Sequence, residues 1–191
     1  MAKKSLGAVP AVFPMPVLMV AAYDENGKVN VMNAAWGMIS AMDQITLFIG
    51  EAHKTTANIH KTGAFTVSIA DVDHMDVADF FGIATGNKMN DKFERTGYSA
   101  VKSAFVNAPI IEEFPVVMEC SLQQVIEMDG FHAVVGKIVN TSADEKVLDE
   151  NGKIDPVKVN ALVFDQFQSD YYSIGGKVGQ AWNAGMDLMK K

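Results

Sequence analysis

The apolar positions of this chain fall into short runs separated by turn residues, a pattern typical of β-strands. Two runs, residues 17–23 and 28–32, flank a turn that contains Asn26-Gly27, and Asn-Gly readily adopts the positive φ that a tight hairpin needs. Runs at residues 45–49 and 65–69 are rich in β-branched and aromatic residues and predict a third and a fourth strand.

Two longer runs, residues 116–127 and 131–141, predict a long hairpin because Asp129-Gly130 between them is a tight-turn signal. Gly136 in the second run permits a bend, since it has no side chain to pack. Long, curved antiparallel strands favour a barrel over a flat sheet. The pattern therefore indicates a mostly β-fold with helical excursions.

Four segments predict short helices or helical turns. The first is residues 56–62, with Thr55 as the N-cap and Gly63 ending the helix. The second opens near Asp73 in a capping arrangement and stops by Gly86. Residues 91–96 predict a turn closed by Gly97, and Asp155-Pro156 predicts an N-cap followed by proline at the first helical position.

A last helix is predicted near the C-terminus, because apolar residues recur there at three- and four-residue spacing. They form one face that consists of Val178, Ala181, Trp182, Gly185, Met186 and Met189. We expect Trp182 to anchor this face against the rest of the protein.

With 191 residues, the chain is expected to form a single domain, residues 1–191. Its core should be large enough to fold without disulfide bonds or a structural metal ion. Cys120 is the only cysteine, so no disulfide can form within the chain, and we expect a cytoplasmic protein. Cys120 lies in an apolar run and is predicted to be a buried packing thiol rather than a nucleophile.

The formal net charge of −7 argues against a nucleic-acid partner, which requires a basic face. The apolar stretch at residues 17–22 is far shorter than the roughly 20 residues that span a bilayer, so we expect no membrane insertion. Any phosphate must be bound by a local group of donors.

One such group is formed by Lys54, Thr55 and Thr56 at the predicted start of a helix. A lysine, two hydroxyls and the unpaired amide groups of a helix N-terminus are the donors that a phosphate needs. The alternative is an exposed lysine beside an ordinary threonine cap.

A second candidate site is the segment 34–40, which contains little bulk and follows a strand. Its backbone could approach the edge of a polar ring and donate hydrogen bonds to it, as in a flavin site. Trp36 either stacks on such a ring or packs in the core.

The sequence contains no convincing catalytic set and no metal-ligand spacing. Its four histidines, His53, His60, His74 and His132, lie in different predicted elements. His132 could face a cofactor, but a structural histidine is the simpler interpretation. If the protein is an enzyme, a bound cofactor carries the chemistry.

The order and spacing of these motifs resemble the flavin-reductase-like, FMN-binding split-barrel family, and within it the flavoredoxin branch. The resemblance extends over nearly the whole chain. It rests on residues 16–21, the turn with Asn26-Gly27, residues 30–36, Lys54-Thr55 with Asn58-Ile59, residues 63–67, Asp91-Lys92-Phe93, residues 132–139, and the ending Tyr171, Tyr172, Gly175 and Gly176. The chain departs from the family pattern at residues 41–44, where many members carry proline, and at Ser68, where many carry asparagine.

This resemblance implies a six-stranded antiparallel split barrel, a homodimer and one FMN per subunit near the dimer interface. It implies that the isoalloxazine lies along Asn33, Ala34, Ala35, Trp36 and Gly37 and that Lys54, Thr55 and Thr56 bind the phosphate. It also implies that Lys88 and Lys92 belong to a mobile cationic segment near the cofactor and that Tyr171 lies on the flavin side of the barrel.

The function expected from this resemblance is a flavoprotein oxidoreductase that passes electrons from a reduced donor such as NAD(P)H through FMN to an acceptor. Two alternatives remain open at this point. The protein could be an electron carrier with a protein redox partner, or a non-catalytic barrel that binds another small ligand. The sequence has no G-x-G-x-x-G after a strand, but flavin reductases of this family do not need that motif.

Overall fold

The computed structural model describes residues 1–190 and is mostly β-structure with a few short helices, which confirms the expected fold class. The strands are β1 (Met15–Pro16), β2 (Leu18–Tyr23), β3 (Val29–Ala34), β4 (Gly37–Ala41), β5 (Gln44–Leu47), β6 (Ala64–Ile69), β7 (Ala100–Lys102), β8 (Pro109–Ile111), β9 (Val116–Met128), β10 (Phe131–Ala143), β11 (Leu162–Asp165) and β12 (Asp170–Ser173). The α-helices are α1 (Lys54–Thr62), α2 (Met75–Ile83) and α3 (Pro156–Val159). Short 3-10 helices lie at Val72–His74, Glu94–Thr96, Glu145–Val147 and Met186–Lys190.

The main sheet is antiparallel and has seven strands in the order β3-β2-β6-β9-β10-β5-β4. Its two edge strands, β3 and β4, follow each other in the chain with only Ala35 and Trp36 between them. So short a connection spans about 11 Å at most, so the ends of the two edge strands must lie close together. The sheet therefore curls into a barrel with a seam at residues 34–37.

The seven strands exceed the expected six because residues 37–41, which were not included in any predicted strand, form β4. This strand pairs only with β5 and its residues are largely exposed. Glycine and alanine have little intrinsic preference for strands, so backbone pairing with β5 rather than local propensity forms β4.

Two apolar cores lie on opposite faces of the strands. Leu18, Val20 and Ala22 of β2 point into the barrel, where Phe65, Val67 and Cys120 are fully buried with them. The alternate residues Val17, Met19 and Ala21 point outward into a second core under α2. Because β2 is buried on both faces, its sequence is a continuous apolar run rather than an alternating one.

The two predicted hairpins are confirmed. Gly27 and Gly130 adopt the left-handed conformation in their turns, with φ of 77° and 71°. The predicted bend at Gly136 is a register shift between Val135 and Gly136 in the β9–β10 ladder. A Cβ atom at Gly136 would lie 2.3 Å from Cζ of the buried Phe65, so the missing side chain also makes room for an aromatic ring in the barrel.

Several helix ends differ from the prediction. Thr55 is not an N-cap, because α1 begins at Lys54, two residues earlier than predicted, and has His53 at the N-cap position. Asp71 rather than Asp73 accepts the amide hydrogen of His74 at the start of the helical region that includes α2. The ends at Gly63 and Gly97 are confirmed, as is the Asp155-Pro156 start of α3.

The predicted C-terminal helix with a packed apolar face is wrong. Residues 181–185 form irregular turns, and only the short 3-10 helix Met186–Lys190 follows them. Trp182 is 98% exposed and therefore anchors nothing in its own chain. Gly179 and Gly185 each disfavour a helix by about 1 kcal/mol relative to alanine, and apolar periodicity provides no compensation without a surface to pack on.

Across residues 1–190, none of the helices combines the length and the apolar character needed to cross a membrane.

We expect Gly136→Ala to lower the free energy of unfolding by about 1–3 kcal/mol, because the new methyl group overlaps the ring of Phe65 in a closed core. Urea denaturation measures the change. Gly175→Ala is the matched control, since a Cβ atom there meets nothing within 4 Å, and its effect should stay within about 0.5 kcal/mol. Equal effects of the two substitutions would contradict the proposed contact.

Candidate functional site

A cleft of about 340 Å³ opens beside the seam of the barrel, between the start of α1 and the end of α2. Both polar and apolar residues surround it. Its lining residues are Asn30, Met32, Asn33, Ala34, Ala35, Trp36, Phe48, Ile49, His53, Lys54, Thr55, Phe81, Gly82, Ile83, Ala84, Thr85, Gly86 and Lys92. The cleft thus brings together seven of the eleven residues that the sequence analysis assigned to a cofactor.

The first wall of the cleft is the end of β3 and the two residues of the seam. Ala34 is buried and Ala35 is half-buried, so backbone groups lie close to the cleft with little side-chain bulk in front of them. The carbonyl of Trp36 accepts a hydrogen bond from the Phe48 amide at 2.8 Å, which holds the seam against the segment after β5. The Trp36 side chain is 57% exposed, so the alternative that it packs in the core is wrong.

The N-terminus of α1 forms a cationic end of the cleft. The amide groups of the first turn have no acceptor within the helix, and no side chain caps them. Asn30 Nδ2 donates to Thr55 Oγ1 at 2.6 Å, which leaves the Thr55 hydroxyl hydrogen available for a ligand. Lys54 is half-buried and makes no salt bridge within residues 1–190. An anion is therefore favoured at this end.

Thr56 supports this end from behind and does not line the cleft. Its side chain is fully buried, and its hydroxyl donates to the carbonyl of Gly50 at 2.9 Å. This hydrogen bond fixes the loop that leads into α1.

The opposite wall, residues 81–86, was missed by the sequence analysis. A Cβ atom at Gly86 would lie 2.2 Å from Asn30 Oδ1 and 3.2 Å from Lys54 Cγ, so this backbone closes tightly over the cationic end. Asn87 Nδ2 donates to the carbonyl of Ala52 at 2.9 Å and ties the wall to the loop before α1. Two glycines within five residues, Gly82 and Gly86, were the available signal for a close backbone approach.

Lys92 and Lys88 occupy different environments, although the resemblance grouped them. Lys92 is only 3% exposed, and its ammonium donates to the carbonyl of Phe81 at 2.9 Å and lies 5.6 Å from the centre of the Phe81 ring. Burial lowers the pKa of Lys92 to about 8. Lys88 is exposed and lies outside the cleft lining.

Tyr171 and Gly37 lie next to the cleft without lining it. Tyr171, in β12, donates its hydroxyl to Asp79 Oδ1 at 2.9 Å, and burial together with this carboxylate raises the pKa of the phenol to about 12. A Cβ atom at Gly37 would lie 2.7 Å from Leu47 Cδ2 and 2.9 Å from Leu18 Cδ1. Gly37 therefore allows the seam to close over the barrel core.

The remaining candidates are structural. Cys120 is fully buried, and burial followed by the nearby Glu119 carboxylate raises the pKa of its thiol to about 12, as expected for a packing residue. His132 Nδ1 lies 2.6 Å from the carbonyl of Ile49, a hydrogen bond that fixes the ring. Among residues 1–190, no cluster of three His, Cys, Asp or Glu side chains could bind a metal ion.

The arrangement as a whole suits a flat ligand with an anionic tail. The seam provides close backbone and an exposed aromatic side chain, and the start of α1 provides a lysine, a hydroxyl and unpaired amide groups. The tight approach of Gly86 to Asn30 shapes the cleft around the cationic end.

The profile described as flavin reductase like domain matches residues 11–172. The structure is similar to the flavoredoxin of Desulfovibrio vulgaris (Miyazaki F), with a TM-score of 0.91 and 34% sequence identity over 96% of this chain and 100% of that chain. It is also similar in fold to the flavoredoxin from Methanosarcina acetivorans, with a TM-score of 0.90 and 24% identity over 99% and 100% of the two chains. An FMN-binding protein from Thermus thermophilus has a TM-score of 0.77 and 19% identity over 94% of this chain and 99% of that one.

The matched region contains the whole barrel and the cleft, and the similarity to flavoredoxins extends over almost the entire chain. The chain therefore belongs to the flavin reductase-like family, as the order of its motifs predicted.

Proposed function

We propose that this protein is an FMN-binding oxidoreductase that passes electrons from a reduced donor such as NAD(P)H through bound flavin to an acceptor. The observation that carries the proposal is the cleft itself, in which a seam of small residues and the cationic N-terminus of α1 face one another. Membership of the flavin reductase-like family and the similarity to a flavoredoxin support it.

In this proposal the phosphate of FMN binds at the start of α1. Lys54 provides the cation, the Thr55 hydroxyl provides a donor, and the first-turn amide groups provide the rest. A local site of this kind is needed because the protein carries a net charge of −7 and its overall field repels a dianion. Thr56 acts indirectly, by holding the loop before the helix.

The ring of FMN would lie along Asn33, Ala34, Ala35 and Trp36. Asn33 is held in place because its Nδ2 donates to the carbonyl of Ala78 at 3.0 Å, which leaves the amide oxygen available to accept a hydrogen bond. Bound FMN would supply the redox chemistry, since the described side chains of the cleft include no acid–base pair. The protein then binds and orients the cofactor and adjusts its electrostatic environment.

Lys92 is the side chain best placed to adjust that environment. Its ammonium is buried in the cleft wall, and no carboxylate among residues 1–190 forms a salt bridge with it. A buried cation without a carboxylate partner stabilises negative charge nearby, and a flavin gains negative charge when it is reduced. We assign no direct contact to Lys88 or Tyr171, although the hydrogen bond from Tyr171 to Asp79 supports the wall beside Asn33.

We further propose that the protein acts as a cytoplasmic homodimer. Met38, Ile39 and Met42, on and just after the edge strand β4, are 63%, 57% and 100% exposed, and a monomer rarely leaves such neighbouring apolar side chains in water. They lie directly beyond the seam, so a dimer interface here would adjoin the cleft.

The second candidate is an FMN electron carrier that exchanges electrons with a protein partner and does not react with NAD(P)H. The observation that favours it is the exposure of Trp36 at the mouth of the cleft, where a partner could approach a bound ring. Stopped-flow mixing of the FMN-loaded protein with NADH or NADPH separates the two functions, because rapid bleaching of the flavin absorbance is expected only for the reductase.

The first test is the visible spectrum of the freshly purified protein, followed by heat release and mass identification of the chromophore. Flavin bands with released FMN are the expected result. A colourless protein whose melting temperature does not rise on addition of FMN would contradict the proposal and favour a barrel that binds another ligand.

We expect Lys54→Ala to weaken FMN binding about ten- to a hundredfold, because the phosphate loses a charge-assisted hydrogen bond that contributes about 1.5–3 kcal/mol. Flavin fluorescence titration measures the dissociation constant. Lys61→Ala is the matched control, since it removes the same charge from the opposite end of the same helix and should leave the affinity nearly unchanged. An unchanged affinity in Lys54→Ala would remove this lysine from the site.

We expect FMN affinity to fall by up to about tenfold between pH 7 and pH 9, and Lys92→Met to remove this dependence. Because the pKa of Lys92 is lowered to about 8, the amine of the unliganded protein loses its proton over this range. An anionic ligand favours the protonated amine, so binding above pH 8 requires proton uptake and weakens. Fluorescence titration at pH 7, 8 and 9 makes the comparison, and equal pH dependence in both proteins would be the contrary outcome.

A further inference from the structure

The segment that follows β12, residues 174–190, carries several large apolar side chains that its own chain leaves largely exposed. We call this segment the C-terminal arm. Val178 and Trp182 are 104% and 98% exposed, and Leu188 and Met189 are 74% and 86% exposed. Tryptophan is highly buried on average, so a fully exposed tryptophan beside other exposed apolar residues indicates a missing partner.

The body of the protein has an apolar groove that also lacks a partner. The groove has a volume of about 410 Å³, and the amide of Gln166 and the indole N–H of Trp36 are the polar side-chain groups among its lining residues. We call it the N-terminal groove, and it is lined by Pro10, Val12, Pro14, Met15, Pro16, Trp36, Gly37, Met38, Phe48 and Gln166. Val12, Trp36 and Met38 are each more than half exposed. Its size falls in the range of about 300–1,000 Å³ that enclosed ligands occupy, which is ample for an indole ring.

The arm leaves the barrel beside this groove and does not enter it. Strand β12 pairs with β11, and β11 pairs with Met15 and Pro16 of β1, which line the groove. The Tyr172 ring packs edge-on against Phe13 at 6.0 Å between ring centres. Although the arm begins next to the groove, it does not cover the groove of its own chain, and Trp182 stays exposed.

Charge also favours association of the arm with a body of this same chain. Together with Lys191, the arm contains three lysines and one aspartate, a net charge of +2, so residues 1–173 carry −9. The arm and the rest of the chain therefore carry opposite net charges, which favours their encounter, while the lining of the groove itself is uncharged.

We propose that the C-terminal arm of one copy of this chain binds in the N-terminal groove of a second copy, with Trp182 as the anchor. Exchange of the two arms forms a symmetric contact in which each copy buries the apolar side chains of the other. A tryptophan buries about 150–250 Å² of surface, so the two anchors together contribute about 300–500 Å² to the interface. The inference rests on the proposed homodimer and names the segment that holds it together.

The exchange also connects the dimer to the cleft. Trp36 lines both the cleft and the N-terminal groove, and Phe48 does the same. A partner arm in the groove would pack against the indole of Trp36 and restrict its motion at the mouth of the cleft. The cleft of each copy would thus be completed by the arm of the other.

Cross-linking between two differently substituted proteins tests the exchange. Asn183→Cys protein, which keeps the Trp182 anchor, is mixed with Met38→Cys protein and treated with a short bismaleimide, which joins two exposed thiols. Cys120 is fully buried and does not compete. We expect a covalent dimer that contains one chain of each kind, identified by mass spectrometry. Asn183→Cys mixed with Phe105→Cys is the matched control, since Phe105 is as exposed as Met38 but lies outside the groove.

Two results would overturn the proposal. One is equal cross-linking to Met38→Cys and Phe105→Cys. The other is a cross-link within single chains of a protein that carries both Asn183→Cys and Met38→Cys, with none between chains, which would mean that the arm binds its own groove.

Removal of the arm provides an independent measurement. Sedimentation equilibrium of a variant that ends at Ser173 should give a dimer dissociation constant at least tenfold larger than that of the full chain. An unchanged constant would overturn the proposal. Both measurements work without FMN, so a colourless protein with exchanged arms would refute the proposed function alone. A yellow protein without exchange would refute this inference alone.

Discussion

The short connection between the edge strands β3 and β4 is the constraint on which the rest of the structure depends. Two residues, Ala35 and Trp36, join strands at opposite edges of a seven-stranded sheet, so the sheet can only close on itself. Closure brings Gly37 against Leu18 and Leu47, where a larger residue would collide with the barrel core. The same closure leaves small residues and a half-exposed tryptophan at the seam, and the cleft lies there.

A second set of contacts attaches a charged helix end to this seam. The hydrogen bond from Asn30 to Thr55 joins β3 directly to the first turn of α1, and the tight approach of Gly86 brings in the wall after α2. A single lysine and a few amide groups are thereby concentrated at one end of a cleft in an acidic protein. Local placement of donors, not the overall charge, is what makes an anion acceptable there.

The elements that could be predicted are those with their own local chemistry. Asn26-Gly27 and Asp129-Gly130 specify turns because glycine tolerates positive φ, and Asp155-Pro156 specifies a helix start because both residues favour that backbone. The candidate residues near Lys54 and Ala34 that line the cleft could be singled out for the same reason, since cationic helix starts and small residues after strands are local patterns. The elements that were mispredicted depend on a partner. β4 exists because β5 pairs with it, and the apolar period after Val178 forms no packed α-helix because nothing in the same chain covers it.

Turn chemistry, the alternation of apolar residues and the motif order thus determine the strands, the two hairpins and the family of this chain, because each acts over a few neighbouring residues. Tertiary packing alone decides that residues 81–86 form the second wall of the cleft, that Lys92 is buried against Phe81 while Lys88 is not, and that Thr56 turns away from the site. These arrangements join positions distant in the chain, and their stability comes from burial and hydrogen bonds that exist only after the barrel closes.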